Sequence, residues 1–163
     1  MNAIGGYFEL ENRSGAHLHS GATPLHYKMD EMKASEIYAY FQTCHVRIED
    51  VDLMAFAQKI RTNAITIEAY SSTVFIGLCA CYMNDLATRT AYITHIAIVP
   101  AYQGRGYGRQ LLEHTIATAR ARGFVRLNLE VLKDNTPALH LYQSHHFTII
   151  EDHTAKWLMS LAL

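Results

Sequence analysis

The sequence predicts a single α/β domain, and two features of its apolar pattern carry that prediction. Apolar residues recur at three- and four-residue spacing between Asp30 and Asn63, then switch to period two from Ile65 to Val99, where the links are too short for crossovers. Beyond Val99 a glycine-rich loop opens a stretch in which helical and strand patterns alternate.

The bulk numbers agree. A chain of 163 residues is one domain's worth, able to bury roughly 70% of its unfolded surface in a single core. Half the residues are apolar and the formal net charge is −1, so no polyanion-binding surface and no nucleic-acid partner are expected. The opening "MNAIGGYFELENRSG" has neither a basic leader nor an apolar run, so neither a signal peptide nor a membrane span is expected. Cys44, Cys79 and Cys81 form no CxxC pair and the ten histidines are scattered, so the reading is a cytoplasmic monomer or homodimer without a metal.

Element by element, the first 28 residues show no sustained period and read as a flexible or edge-strand arm, with a short strand at Tyr7–Leu10. From Asp30, Met32, Ile37, Tyr38 and Phe41 suit a helix. Asp50 is placed as the N-cap of a second helix, Val51 to Thr62, on which Leu53, Phe56, Ala57 and Ile60 share a face. Strands follow at Ile65–Ala69, at Val74 to about Met83 and at Ala91–Val99, forming an antiparallel meander. After the loop, Leu111, Leu112, Thr115, Ile116 and Ala119 line a helix that Gly123 ends. In "VRLNLEVL", Val125, Leu127, Leu129 and Val131 face one way and Arg126, Asn128 and Glu130 the other. Thr136 and Pro137 open a helix as N-cap and N1, and strands at Phe147–Glu151 and Lys156–Leu161 complete the chain.

The loop "QGRGYGR" excludes a P-loop, because Gly108 is followed by Arg109 and Gln110 rather than by Lys and a hydroxyl. A dinucleotide fingerprint would need GxGxxG at a first βα turn; here the spacing is GxGxG and the loop comes late. Glycines that let N–H groups converge at a helix N-terminus suit a pyrophosphate, with Arg105 and Arg109 adding charge. A loop built for tight packing alone remains the alternative.

With "HIAIVP" before it and "LNLEVLKDNTPALHLYQSHHF" after it, the chain resembles the GNAT superfamily of acetyl-CoA-dependent N-acetyltransferases. Gln103, Gly106 and Gly108 match the family's (Q/R)xxGx(G/A) coenzyme motif, and the likeness spans roughly residues 64–161. The resemblance implies a mixed, mostly antiparallel twisted sheet of six to seven strands flanked by four helices, in one domain over residues 1–163. It implies acetyl-CoA as cosubstrate, with the backbone of His95, Ile96, Ala97 and Ile98 along its acetyl and pantetheine arm. Gln103, Gly104, Arg105, Gly106, Tyr107, Gly108 and Arg109 would hold the pyrophosphate, and Asn135 and Tyr142 would contact the coenzyme. In the ribosomal-protein branch the LEV glutamate is a base; Glu130 and Tyr142 reproduce that branch's spacing. Two departures stand out. His146 replaces the usual glycine before phenylalanine, at about 1 kcal/mol if left-handed, and Tyr92 stands where histone-type members keep a glutamate.

The chemistry is consistent with that likeness. An amine of pKa near 10.4 is protonated at neutral pH, so a base such as Glu130 is useful, and a tyrosine such as Tyr142 can protonate a departing thiolate. His95 is read as a satisfied sheet histidine ahead of an auxiliary base, and Cys79 and Cys81, among apolar residues, as unsuited to a covalent acyl route. The expected activity is direct acetyl transfer to an amine, with a non-catalytic acyl-CoA-binding module as the alternative. The acceptor is expected to meet the two N-terminal helices and the loop between the last two strands.

Overall fold

The computed structural model describes residues 25–46 and 51–163. Along the chain lie β1 (Leu25–Met29), α1 (Ala34–Thr43), α2 (Leu53–Asn63), β2 (Ile65–Ser71), β3 (Val74–Asp85) and β4 (Thr90–Ile98). A 3₁₀ turn, Pro100–Tyr102, leads to α3 (Tyr107–Ala121), β5 (Arg126–Leu132), α4 (Thr136–Ser144), β6 (Thr148–Asp152) and β7 (Lys156–Ala162). The strands make one seven-stranded sheet in the order β1-β2-β3-β4-β5-β7-β6. Every neighbouring pair is antiparallel except β4 with β5. The expected mixed sheet with four helices is therefore present. Among the described residues no helix is long and apolar enough to cross a membrane.

Four local expectations are sharpened or corrected. Leu25–Met29, read as part of an arm, is an edge strand paired with Ile67–Ser71; the strand expected at Tyr7–Leu10 lies outside the described residues. The first helix starts at Ala34, not near Asp30. The reason is competition for backbone donors: fully buried Glu68 accepts from the N–H groups of Glu31 and Met32 at 2.9 Å, and Asp30 turns back to accept from Thr66 N–H at 2.8 Å. Asp50 lies outside the described residues, and the cap of α2 is Asp52, which accepts from Met54 N–H at 2.8 Å. In α4 the cap is Asn135, accepting from Ala138 N–H at 3.2 Å, so Thr136 and Pro137 fall in the first turn.

Two apolar layers cover the sheet. On one face α3 and α4 bring Leu111, Leu112, Ile116, Leu139 and Tyr142 against Ile67, Cys79, Ile93, Leu129 and Met159. On the other, α1 and α2 bring Ile37, Phe41, Ala57 and Ile60 against Leu78 and Ala80. Phe41, Ile37 and Ile60 are wholly buried, each worth about 1.5–3 kcal/mol against exposure.

The parallel seam between β4 and β5 is short. It pairs Thr90 to Ile93 with Arg126 to Leu129 and then stops, while β4 runs on to Ile98 against β3 alone. The register of β3 with β4 shifts at Ala80/Cys81, beside the point where the seam ends. A bulge there bends one strand from its neighbour, and β4 and β5 diverge. Gly77 makes the far end of β4 close-packed: a Cβ there would sit 2.5 Å from Ile98 Cδ1 and 2.8 Å from the Ala97 carbonyl oxygen.

Candidate active site

Val99 N–H donates to the Ile76 carbonyl across β3 at 2.8 Å. Peptide groups alternate sides along a strand, so those of Ala97 and His95 also turn towards β3, and those of Ile98 and Ile96 turn into the gap left by β5. The Ile98 carbonyl accepts from Gln103 Nε2 at 2.8 Å. The four β4 residues singled out from sequence thus divide: Ile96 and Ile98 turn their peptide groups to the β5 side, where Ile96 lines the cleft and the Ile98 carbonyl is held by Gln103, and His95 and Ala97 turn theirs to β3.

The gap is a cleft of about 220 Å³, lined by His95 and Ile96 on β4, Glu130 on β5, and Asn135, Ala138 and Tyr142 from α4. Tyr142 belongs to the α3/α4 core and is 6% exposed; burial, then the neighbouring Cys79, holds its hydroxyl well above the ordinary tyrosine range, so it stays protonated. Glu130 is exposed because its β5 neighbours Leu129 and Val131 point into that core, and its Oε2 lies 3.2 Å from Lys156 Nζ. Tyr92, half-buried, is pushed up to about 12 by burial and by the Glu130 carboxylate.

His95 carries its imidazole to the face of α1. The ring packs edge-on against Tyr40 and Phe41, with centroids 5.5 and 5.0 Å away. Its Nε2 is 3.1 Å from the Tyr40 hydroxyl, which donates to the Ala97 carbonyl at 2.7 Å. Burial pushes the imidazole down to about 4, so it is neutral at physiological pH. Burial likewise pushes Cys79 up to about 12 and Cys81 well above the usual thiol range, and neither supplies a thiolate.

In the loop before α3, Gly104 and Gly106 take φ of +75° and +78° with open space where a Cβ would stand. Gly106 is the left-handed N-cap of α3 and offers no side-chain cap. The first-turn N–H groups of Tyr107, Gly108 and Arg109 have no helical carbonyl behind them, which suits an anion. Gly108 is in the helix, where a Cβ would touch Ile98 at an ordinary 3.9 Å. Tyr107 turns its side chain into the core. Arg105 donates to the Ala101 carbonyl at 3.2 Å and lies over the Tyr102 ring, and Arg109 pairs with Glu113 at 2.9 Å. Asn135 spends its side-chain oxygen on the α4 cap, leaving its amide nitrogen for other partners.

Tyr40, Gly77 and Lys156 were not singled out from sequence. Nothing in the helical face of α1 marks Tyr40's hydroxyl as reaching β4, and Lys156 meets Glu130 only through the β5–β7 register, which opposes Leu132 to Lys156. Gly77, a glycine inside an apolar strand, did carry a legible sign of close backbone approach.

The pattern of the acetyltransferase (GNAT) family matches residues 29–147. Over 57 residues the chain is 47% identical to the ribosomal protein bS18 alanine N-acetyltransferase of Salmonella typhimurium, covering 35% of this chain and 38% of that one. Over 66 residues it is 41% identical to the mycothiol acetyltransferase of Jonesia denitrificans, covering 40% and 21%. The matches thus span well under half of these curated relatives. Among solved structures, the ribosomal-protein-S18-alanine N-acetyltransferase of Escherichia coli superposes with a TM-score of 0.68 at 22% identity, over 84% of this chain and 94% of that one. A Bacillus subtilis acetyltransferase in complex with CoA superposes with a TM-score of 0.69 at 18% identity, over 86% and 99%.

Proposed function

The chain belongs to the acetyltransferase (GNAT) family, and from that premise we propose that it transfers an acetyl group from acetyl-CoA to a primary amine by direct attack. The observation that carries this reading is the cleft itself: it opens where β4 leaves β5, and Ile96, Glu130 and Tyr142 all line it.

In this reading the pyrophosphate rests on the free N–H groups after Gly106, with Gln103 bracing the loop against Ile98. Arg105 and Arg109 sit on either side of Gly106 and contribute charge. The pantetheine arm lies along β4, bonding the Ile96 and Ile98 peptide groups as a strand would. Ile96 N–H points at the thioester oxygen, where negative charge develops during attack. The amine nitrogen bonds to the acetyl carbon, the C–S bond breaks, and the amine's surplus proton passes to Glu130 directly or through water. Tyr142 gives its proton to the departing thiolate. Burial keeps the Tyr142 proton in place until the thiolate forms; because a thiol's pKa near 8.5 lies below that of the tyrosine, the transfer is uphill, and the tyrosinate regains its proton from solvent as the amine's proton leaves through Glu130.

The acceptor side is the face shared by His95, Glu130 and Lys156. We assign it a peptide N-terminal amine. The support is the 47% identity over 57 residues to an enzyme named for a ribosomal-protein alanine, together with the Glu130 and Tyr142 spacing.

The deciding experiment measures acetyl-CoA binding by calorimetry and CoA release across amino-terminal peptides, amino sugars and small amines. Saturable turnover with peptides supports the reading. Tight binding without turnover on any amine would make the chain an acyl-CoA-binding module, and affinity for NAD without affinity for acetyl-CoA would overturn it.

A further inference from the structure

One group beside the cleft has no role in that scheme. His95 lines the opening on the acceptor face, one residue before the Ile96 N–H, yet it is neutral and its imidazole is bonded to Tyr40 of α1.

The hydrogen bonds around it fix its tautomer. The Tyr40 hydroxyl has one proton, and the shorter contact, 2.7 Å to the Ala97 carbonyl oxygen, takes it, because a carbonyl can only accept. The Tyr40 oxygen is therefore the acceptor towards His95 Nε2 at 3.1 Å, and Nε2 must carry hydrogen. A neutral imidazole has one N–H, so Nδ1 is a bare lone pair with no partner among the described residues. On the ring Nδ1 lies next to Cγ, on the side of the β4 main chain, whereas Nε2 reaches away to α1. Tyr40 itself stays protonated, since burial holds it well above the ordinary range, and the Tyr40 and Phe41 rings against the imidazole carry no charge.

We propose that Tyr40 is a positioning residue that holds His95 as its Nε2–H tautomer, and that the bare Nδ1 accepts a hydrogen bond from the acceptor amine as it meets the acetyl carbon. This rests on the acetyl-transfer reading above. The role is orientation: one N–H is held by Nδ1, so the nitrogen lone pair is turned towards the carbon whose oxygen faces Ile96 N–H. Such a weakly basic nitrogen leaves the proton removal to Glu130 and remains an acceptor throughout turnover. The same hydroxyl bonds the Ala97 carbonyl and so ties α1 to β4, which β3 holds in place along its length.

The test uses the whole protein with acetyl-CoA bound. ¹⁵N spectra of labelled histidine should give His95 the shift pattern of a protonated Nε2 and an unprotonated Nδ1, and Tyr40→Phe should convert it to a tautomer mixture. In kinetics, His95→Asn keeps a polar atom near the Nδ1 position and His95→Gln keeps one near Nε2. The expectation is that His95→Gln and Tyr40→Phe raise the amine KM or lower kcat by about tenfold, the scale of one lost hydrogen bond, with His95→Asn recovering part of the loss and acetyl-CoA affinity within about twofold. A wild-type protonated Nδ1, or equal kinetics for the Asn and Gln variants with acetyl-CoA binding intact, overturns this proposal alone. Failure of the wild type to bind acetyl-CoA overturns the functional reading and this proposal with it.

Discussion

Lys156 Nζ lies 3.2 Å from Glu130 Oε2, across the β5–β7 contact and at the edge of the cleft. Both side chains are more than a third exposed, so the pair is worth at most about 1 kcal/mol. Lys156→Met should therefore change kcat/KM by less than about fivefold, whereas Glu130→Gln should lower kcat by about 10²-fold and alter the acidic limb of the pH–rate profile. Steady-state rates from pH 5 to 9 separate the two. An unchanged acidic limb in Glu130→Gln would assign the base elsewhere.

Tyr142→Phe should lower kcat by about 10- to 10³-fold while leaving urea stability within about 1 kcal/mol, because the ring keeps its place against Phe147. Since burial raises the Tyr142 hydroxyl, its ionisation should not limit activity up to pH 10. A wild-type rate that collapses between pH 8 and 9, with the collapse lost in Tyr142→Phe, would contradict that assignment.

Gly77→Ala should destabilise the fold by about 1–3 kcal/mol, as overpacking does, because the new methyl meets the Ala97 carbonyl oxygen at 2.8 Å as well as the Ile98 side chain. Gly106→Ala should cost about 1 kcal/mol from its left-handed φ alone, with open space around it. Urea midpoints give both numbers. The ranking, Gly77 above Gly106, is the sensitive point: the glycine that caps α3 is the milder one for stability.

Acid should destabilise the protein through His95. Its folded value near 4 lies below the ordinary 6.5, so the unfolded chain binds the proton first as pH falls. The contribution is complete above pH 6.5 and disappears towards pH 4, to at most about 3 kcal/mol. His114, also lowered by burial and stacked on Tyr27, adds in the same direction. Urea unfolding at pH 7 and pH 4.5 should show the loss, and His95→Gln should flatten it. An equal pH dependence in the variant would place the titrating group elsewhere.

Periodicity located most elements because each of them buries one face, and helix or strand period is what a buried face writes into sequence. Leu25–Met29 was missed for the same reason: only Leu25 and Tyr27 of this edge strand are partly buried. The start of α1 was missed because a buried carboxylate 36 residues away, Glu68, takes the N–H of Met32, and no local pattern encodes that. At the site, Glu130, Tyr142 and the glycine loop were legible as types at fixed spacing along the chain. Tyr40 and Lys156 were not, since each is defined by a contact across the fold. The alternation that separates Ile96 and Ile98 from His95 and Ala97 needed the strand register, which a bulge had shifted.

The four-rung seam between β4 and β5 has a mechanical consequence. The sheet is two half-sheets, β1–β4 and β5–β7–β6, that share a short weld, and past Ile93 the edge of β4 is left without a neighbouring strand. Any guest that bonds Ile96 and Ile98 is then a splint as well as a substrate, and at a hundredfold excess over its Kd it would add about 2.7 kcal/mol to the folded state. Amide exchange along the end of β4 should slow first on loading, before any change is felt at the outer strands.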